Sequence, residues 1–466
     1  MKLTHELKVY AFGIILCAAL TLCSRHFADR GGPFFMASLT VAGIVYLLAI
    51  REFFAASEFP RRVVVIALLL SAAWHIEFLR LPPGADDDVH RYVWDGRLQR
   101  LGYNPYLVIP SDPAVQQLHT PETRSLNNPN LPSPYPPGAQ LFFRAVTAIH
   151  ESIFAFKLAF VICDFAIALV LLDLLRSTGR SSHLLLAFAW NPLLALEVAG
   201  SGHIDIVGAL LLIMSVAALA RRWRAMAALT FALAVAVKFL PIVLLPLYWK
   251  RLRIRDFALA AATIALLYLP FLNHGRIPTG SFGTYVRDFR FNGPVFAMLD
   301  RVAPASWLAG FAVLAGLATA IWLRSRKTFA TENTVLHRGN ATKVARSNPL
   351  PEGFQGSEFA WPMAAALFCA PVVFPWYLLW LLPFVTSAST LPIIAWTVSI
   401  GATYVMWHLR ATTGIWGTLP GWVMPLEYGC VAIAAAIVLL RRIRPSNPNE
   451  VSSRHETGVG KNYSIT

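Results

Sequence analysis

Long apolar segments recur along the whole chain, and several approach or reach the roughly 20 residues that a helix needs to cross a membrane. Five of the clearest cover residues 9–22, 63–79, 154–175, 257–272 and 428–440. None of them alternates apolar and polar residues with the period of two expected of a half-buried strand. The first could be mistaken for a signal peptide, but apolar segments continue to the end, so we interpret it as a retained first helix. The pattern predicts an all-α polytopic membrane protein.

The charge content supports this class. Only 14% of the 466 residues are charged, whereas charged residues make up about a quarter of soluble domains. The net charge of +15 would suit a nucleic-acid-binding protein, but the basic residues cluster at the ends of apolar segments, as the positive-inside rule requires. We therefore expect no nucleic-acid partner. The five cysteines lie within apolar segments and lack metal-ligand spacing, so we expect them to be packing residues.

The basic clusters predict how the chain crosses the membrane. With the N-terminus inside, three helices cross in turn and residues 82–134 form a large outer loop. Residues 225–248 have basic flanks at both ends, which predicts a hairpin broken at 238–241 that carries Lys238 to the outer half of the membrane. A second such hairpin is predicted at Pro375. With these short Pro-broken hairpins, we expect about 12–14 transmembrane helices.

Four regions are predicted along the chain. Residues 1–323 form a transmembrane catalytic core that includes the outer loop, and residues 324–358 form a polar cytoplasmic linker. Residues 359–440 supply the C-terminal transmembrane helices. Residues 441–466 form a basic cytoplasmic tail.

The outer loop begins with an acidic, proline-rich island that contains Asp86, Asp87, Asp88 and Asp95. Carboxylates at a membrane boundary are costly to desolvate and are usually kept for a proton, an ion or a substrate. One carboxylate is enough to take a proton from an attacking hydroxyl, and we favour this role. Three consecutive Asp residues could instead bind a divalent cation. The plain alternative is a solvated loop, with a short interfacial helix over residues 89–101.

Several cations lie on the predicted outer side, where the positive-inside rule would not place them. They are Arg91, Arg97, Arg100, Lys238, Arg276, Arg287, Arg290 and Arg410. They suggest an anionic ligand, and phosphate fits best because a guanidinium group matches its oxygens in bidentate geometry. The alternative is a set of surface charges paired with Asp288, Asp300 and Glu122.

Polar and aromatic residues elsewhere add candidates. His203 and Asp205 lie where one predicted helix ends and the next begins, and polar groups at that depth are expected to face a cavity. Structural packing is an equal alternative for His203. Tyr92, Tyr135 and Tyr377 are aromatic residues that could stack on a sugar or anchor the membrane interface.

The run DDVHRYVWDGRLQ at 87–99, followed by GYNPY at 102–106 and YPPGAQ at 135–140, resembles bacterial membrane glycosyltransferases of the GT-C superfamily. More narrowly, it is similar to polyprenol-phosphate-mannose-dependent mannosyltransferases and to glycosyltransferase family 87. The resemblance continues through GHID at 202–205, VKFLP at 237–241, FNG at 291–293 and PWYLLW at 375–380. It implies a GT-C fold, a lipid-phosphate-linked sugar donor and an essential Asp at the start of the first large outer loop. Asp88 matches that Asp best and Asp87 next; Asp86 and His90 depart from the family pattern.

The residues and the resemblance predict an inverting glycosyltransferase in the plasma (inner) membrane, with its active site on the outer side. It would move a mannose-like hexose from a polyprenyl-phosphate donor to a lipid or glycan acceptor. A phosphate leaving group departs as a stabilised anion, so the reaction needs a base and cations but no general acid. The alternative is a polytopic lipid or sugar transporter or flippase without transferase activity.

The candidate site combines catalytic and substrate-binding residues. Asp88 and Asp87 are the expected catalytic residues, and Asp86, Asp87 and Asp88 are the expected ligands if Mg²⁺ or Mn²⁺ is bound. The expected partners are the donor, the acceptor and membrane lipids. The expected substrate-binding residues are Asp86, Arg91, Tyr92, Asp95, Tyr135, His203, Asp205, Lys238, Arg287, Arg290, Asn292 and Tyr377.

Overall fold

The computed structural model describes residues 4–84, 87–337 and 356–443. Within these ranges, regular secondary structure is helical apart from three isolated β-bridges. The first nine α-helices are α1 (His5–Arg25), α2 (Pro33–Ala55), α3 (Arg61–Leu79), α4 (Val89–Arg100), α5 (Pro137–Ile149), α6 (Ile153–Ser177), α7 (Leu186–Ala189), α8 (Asp205–Ala220) and α9 (Arg224–Val237). The next nine are α10 (Leu245–Tyr248), α11 (Ile254–Tyr268), α12 (Phe282–Asp288), α13 (Pro294–Leu299), α14 (Ala305–His337), α15 (Ala360–Phe368), α16 (Leu391–Ser399), α17 (Val405–Thr413) and α18 (Val423–Ile443).

Eight helices in the described ranges are long and apolar enough to cross a membrane, which confirms the all-α polytopic prediction. A ninth span results if Ser182–Ala189 and Leu194–Gly200, bent by 66°, count as one. The predicted 12–14 is therefore too high by this criterion. Helices α8 and α9 have 16 and 14 residues, so each is only about 20–25 Å long, whereas the hydrocarbon core is about 30 Å thick.

The chain does turn back at the predicted break after α9. Lys238 ends the helix in an extended conformation (φ −159°, ψ 141°), and a 3-10 turn that contains Pro241 and the short α10 follow. Arg222 before α9 and Arg253 after it line the same open pocket. The two basic flanks therefore lie at one end of the bundle, which we call the basic end. Lys238 lies at the other end of α9, about 20 Å away.

The acidic island is folded rather than solvated. Ten of the 12 residues of α4 are buried, and the helix packs closely against α5. A Cβ at Gly96 would lie 2.5 Å from the carbonyl oxygen of Phe143 on α5. Only glycine therefore allows this approach, so α4 is fixed against the bundle and positions the residues around it.

Much of the predicted linker and most of the predicted tail lie outside the described residues. Helix α14 continues to His337, past the boundary placed at 323, and the rest of the predicted linker as far as 355 lies outside the described residues. The predicted tail lies outside them from residue 444 onward. The second predicted hairpin consists of α15 and two 3-10 turns, Pro375–Trp380 and Leu382–Phe384, rather than two helices.

Candidate active site

A cavity of about 800 Å³ opens at the end of the bundle that contains Lys238. Its volume lies within the range of small-molecule sites. The loop that precedes α5, the break after α9, the loop between α11 and α14 and the segment after α15 all contribute to its walls. Eight predicted site residues line it: Asp87, Asp88, Arg91, Tyr135, Asp205, Lys238, Arg290 and Tyr377.

The two adjacent aspartates have different environments. Asp87 is buried, with Oδ1 2.9 Å from the Arg30 guanidinium and Oδ2 accepting a hydrogen bond from the Gly84 amide at 2.6 Å. Asp88 is only half-buried, and its Oδ1 accepts a hydrogen bond from Asn127 Nδ2 at 2.6 Å. The charge of Asp87 is therefore neutralised, whereas Asp88 is the more accessible carboxylate at the cavity.

The described residues do not fit the alternative of a divalent-cation site. Both oxygens of Asp87 already accept from Arg30 and Gly84, and a guanidinium at 2.9 Å would repel a dication. Among the described residues, no group of three His, Cys, Asp or Glu side chains is arranged to hold a metal. Asp86, the third predicted ligand, lies outside the described residues.

Two tyrosines surround Asp88. Burial, and then the negative charge of Asp88, raise the pKa of the Tyr135 and Tyr92 phenols well above their ordinary value. Both hydroxyls therefore stay protonated. Tyr135 lines the cavity, whereas Tyr92 lies behind it, stacked on Phe143 at 4.5 Å with its hydroxyl accepting from the Ile204 amide.

Arg91 and Asp95 hold the loop that precedes α5 in place. Arg91 lines the cavity, but its guanidinium donates to the carbonyl oxygens of Asn127, Asn128 and Leu131. Asp95 does not line the cavity; its Oδ2 accepts from Ser133 Oγ at 2.5 Å and from Gln140 Nε2 at 2.9 Å. Burial raises the pKa of Asp95 to about 6, although the charge of Arg91 acts in the opposite direction.

Lys238 is held at the cavity by an ion pair and an aromatic ring. Its ammonium lies 2.8 and 3.0 Å from the two oxygens of buried Asp205 and 4.0 Å from the ring centroid of Tyr377. Trp380 Nε1 also donates to Asp205, at 2.8 Å. Tyr377 and Tyr285 share a hydrogen bond of 2.8 Å between their hydroxyls. The arrangement directs one positive charge at the cavity from a rigid wall.

His203 is buried beneath the cavity wall rather than exposed in it. Its Nδ1 lies 2.9 Å from Glu197, which also accepts a hydrogen bond from Tyr404. The imidazole stacks on Trp376 with centroids 4.0 Å apart. Trp376 in turn stacks on Phe374 at 4.4 Å, and both indole and phenyl ring line the cavity. His203 therefore supports an aromatic wall.

The loop between α11 and α14 contains three predicted site residues with different positions. Arg290 lines the cavity and pairs with Asp300 at 3.3 Å. Arg287 does not line it; its side chain is 71% exposed and pairs with Asp288. Asn292 is buried, and its Nδ2 donates to Glu427 on α18 at 2.9 Å. The structure thus brings one of the three to the cavity.

Sequence reasoning missed Arg30 and Asn127, which contact the two aspartates, and it did not include Phe374 of the aromatic wall. One signal for Arg30 was available, since it is a lone cation in the short connection between α1 and α2 on the predicted outer side. No comparable signal marks Asn127.

Comparison with known proteins gives a family. The model for the N-terminal domain of alpha-(1->6)-mannopyranosyltransferase matches residues 18–251. No curated protein sequence gives a significant match. The structure of ArnT from Cupriavidus metallidurans bound to undecaprenyl phosphate covers 81% of this chain and 74% of its own, with 14% identity and a TM-score of 0.41.

Proposed function

The chain belongs to the alpha-(1->6)-mannopyranosyltransferase family. From this family membership we propose a donor, an acceptor and a reaction site. The donor is a polyprenyl-phosphate-linked mannose or similar hexose, and the acceptor is a lipid-linked or free glycan. The linkage formed is α-(1→6), as in the family's name. The reaction occurs in the 800 Å³ cavity, on the outer side of the plasma membrane.

Asp88 is the general base in this proposal. It takes the proton from the acceptor hydroxyl while that oxygen attacks the anomeric carbon of the donor. The bond from the anomeric carbon to the phosphate oxygen breaks, and the phosphate keeps the electron pair. If base and phosphate lie on opposite faces of the sugar, the configuration inverts. An α product then requires a β-linked donor.

Three cations along the cavity support a phosphate-binding role. Lys238, Arg290 and Arg410 all line it. Negative charge grows on the departing phosphate in the transition state, so fixed cations stabilise that state more than the ground state. In the resting enzyme Lys238 is paired with Asp205, and donor phosphate would share this ammonium.

The aromatic wall fits the remaining parts of the donor. Phe291, Phe374 and Trp376 line the cavity, with neighbouring rings stacked at 4.5 and 4.4 Å. Such a surface suits the apolar face of a hexose ring or the first isoprene units of the lipid. It also excludes water from the reacting atoms.

The contrast between neutralised Asp87 and half-buried Asp88, opposite fixed cations in one cavity, carries this proposal. The test uses purified protein in liposomes with radiolabelled polyprenyl-phosphate mannose and an α-(1→6)-linked mannose oligosaccharide. We expect labelled product from wild type and a loss on the order of a hundredfold in Asp88→Asn. Asp112→Asn, in the same loop but away from the cavity, is the matched control and should keep full activity.

Two outcomes would contradict the proposal. Near-normal turnover in Asp88→Asn would show that Asp88 is not the general base. Movement of labelled lipid across the bilayer without any labelled glycan product would favour the transporter alternative.

A further inference from the structure

Arg30 connects the candidate active site to the interior of the bundle. It lies in the connection between α1 and α2, and its side chain is only 6% exposed. One terminal nitrogen, Nη2, lies 2.9 Å from Asp87 Oδ1, and the other, Nη1, donates to Ser201 Oγ at 2.5 Å. The guanidinium therefore joins three segments that are far apart in the sequence.

The site around Arg30 is built to admit it. A Cβ on Gly84 would lie 1.9 Å from Arg30 Nη2. Any other residue at this position would therefore force the guanidinium or the backbone at residue 84 to shift. The Gly84 amide completes the arrangement by donating to the second oxygen of Asp87.

Arg30 also lies within electrostatic reach of a second buried carboxylate, that of Glu197. The negative charge of Glu197 also acts on Arg30, and Glu197 contacts His203 and Tyr404. Glu197 lies on the Leu194–Gly200 segment, which is a π-helix. Such helices are rare and are often found at functional sites. Arg30 thus links the acidic loop to the support of the aromatic wall.

Asp87 in turn sets the direction of Asp88. The Asp87 carbonyl accepts from the His90 amide, and the Asp88 carbonyl accepts from the amides of Arg91 and Tyr92, so both residues form the start of α4. Both residues line the cavity, but Asp87 is buried against Arg30 and Asp88 is the more accessible of the two. Without Arg30, Asp87 would lose its ion pair and would lie beside the Asp88 carboxylate.

We propose that Arg30 is a positioning residue, which neutralises Asp87 and anchors the start of α4 so that Asp88 alone acts on the acceptor. The inference rests on the proposed function, because it assigns the base to Asp88. Arg30 itself lines no part of the cavity among the described residues and contacts no substrate in this proposal.

The test compares kcat and donor KM for four variants, each normalised to folded protein by size-exclusion chromatography. Arg30→Met should lower kcat by on the order of a hundredfold, the effect of about 1 Å of misplacement, with donor KM within about twofold because the phosphate site is intact. Arg30→Lys keeps the charge but loses the two-pronged geometry, so it should recover kcat only in part. Gly84→Ala should reproduce the loss without removing any charge.

The fourth variant, Arg30→Met with Asp87→Asn, removes the unpaired buried charge and should be more active than Arg30→Met alone. Asp164→Asn is the matched control, since it removes the charge from the equally buried His75–Asp164 contact of 3.0 Å, and neither residue lines the cavity. It should lose stability but keep kcat.

The outcomes separate the two proposals. Wild-type kcat in both Gly84→Ala and folded Arg30 variants would overturn the positioning role while leaving Asp88 as base. An equal loss of kcat in Asp164→Asn would also overturn it, because the effect would then be general destabilisation. Full activity of Asp88→Asn would instead overturn the proposed function itself. If Arg30→Met does not fold, Gly84→Ala and Arg30→Lys still decide the question.

Discussion

Lys238 and Asp205 form an ion pair between the end of α9 and the start of α8, with the ammonium 2.8 and 3.0 Å from the two carboxylate oxygens. Asp205 is fully buried at the start of α8, whereas the Lys238 side chain remains 24% exposed. The pair therefore fixes the lysine without hiding it. A cation held in this way can contact an anionic ligand with little loss of side-chain entropy on binding.

Removing the charge of Lys238 tests whether this residue binds the donor phosphate. Lys238→Met should lower kcat/KM for the lipid donor by about 10- to 100-fold, the range expected for losing one charge-assisted hydrogen bond of about 1.5–3 kcal/mol. Part of the loss should appear in kcat, because the interaction strengthens as the phosphate departs. Steady-state kinetics with the labelled donor measure both parameters. Lys250→Met, in the turn before α11 and away from the cavity, is the control. Unchanged kcat and KM in Lys238→Met would place the phosphate elsewhere.

Two neighbouring arginines give a sharper comparison. Arg290 lines the cavity and Arg287, three residues earlier, does not. We expect Arg290→Ala to raise donor KM and lower kcat, whereas Arg287→Ala should resemble wild type because its exposed ion pair with Asp288 contributes little. Arg290→Lys should restore only part of the activity. Equal effects of the two Ala variants would mean that the loop acts through its net charge rather than through Arg290.

These arginines also illustrate what sequence can and cannot predict. The apolar segments, the break at Pro241 and the clustering of Asp88 with Lys238 follow from local hydrophobicity, from the missing N–H of proline and from charge at one end of the bundle. Packing decides which arginine of the loop between α11 and α14 lines the cavity. No periodic pattern in the sequence predicts that choice. Sequence reasoning therefore grouped Arg287 with Arg290.

Sequence reasoning also did not predict contacts between residues that are far apart in the chain. Asn292 was predicted to bind substrate, but it is held by Glu427, 135 residues later. Arg30 contacts Asp87 across 57 residues. A single sequence contains no signal for such pairs, because each depends on how separate helices pack. The predicted number of transmembrane helices was too high for a different reason. Short helices and 3-10 turns have the apolar composition of membrane spans but not their length.

Asp95 predicts a pH dependence of stability. Its pKa rises from 3.8 to about 6 in the folded protein because the carboxyl is buried. A raised carboxyl pKa stabilises the folded state fully below about pH 4, and this contribution is lost as the pH rises through 6. The shift corresponds to at most about 3 kcal/mol.

The measurement is the apparent Tm in detergent at pH 4, 5, 6 and 7 for wild type and Asp95→Asn. The Asn side chain does not titrate, so the wild-type Tm should fall relative to the variant between about pH 4 and 6 and then level off. A Tm difference that stays constant over this range would contradict the assignment to Asp95.

The return of the chain after α9 predicts an accessibility pattern. Phe239 lines the cavity beside Lys238, whereas Arg222 and Arg253 line one pocket at the basic end. In a variant without the five native cysteines, Phe239→Cys in intact cells should react with a membrane-impermeant thiol reagent from outside. Arg222→Cys and Arg253→Cys should react only after permeabilisation, because basic clusters remain on the cytoplasmic side. Labelling of Phe239→Cys only after permeabilisation, together with labelling of Arg222→Cys and Arg253→Cys from outside, would place the cavity, and with it the proposed transfer, on the cytoplasmic side. Labelling of just one of the two basic-end cysteines from outside would mean that the α9–α10 segment crosses the membrane once, contrary to the shared pocket.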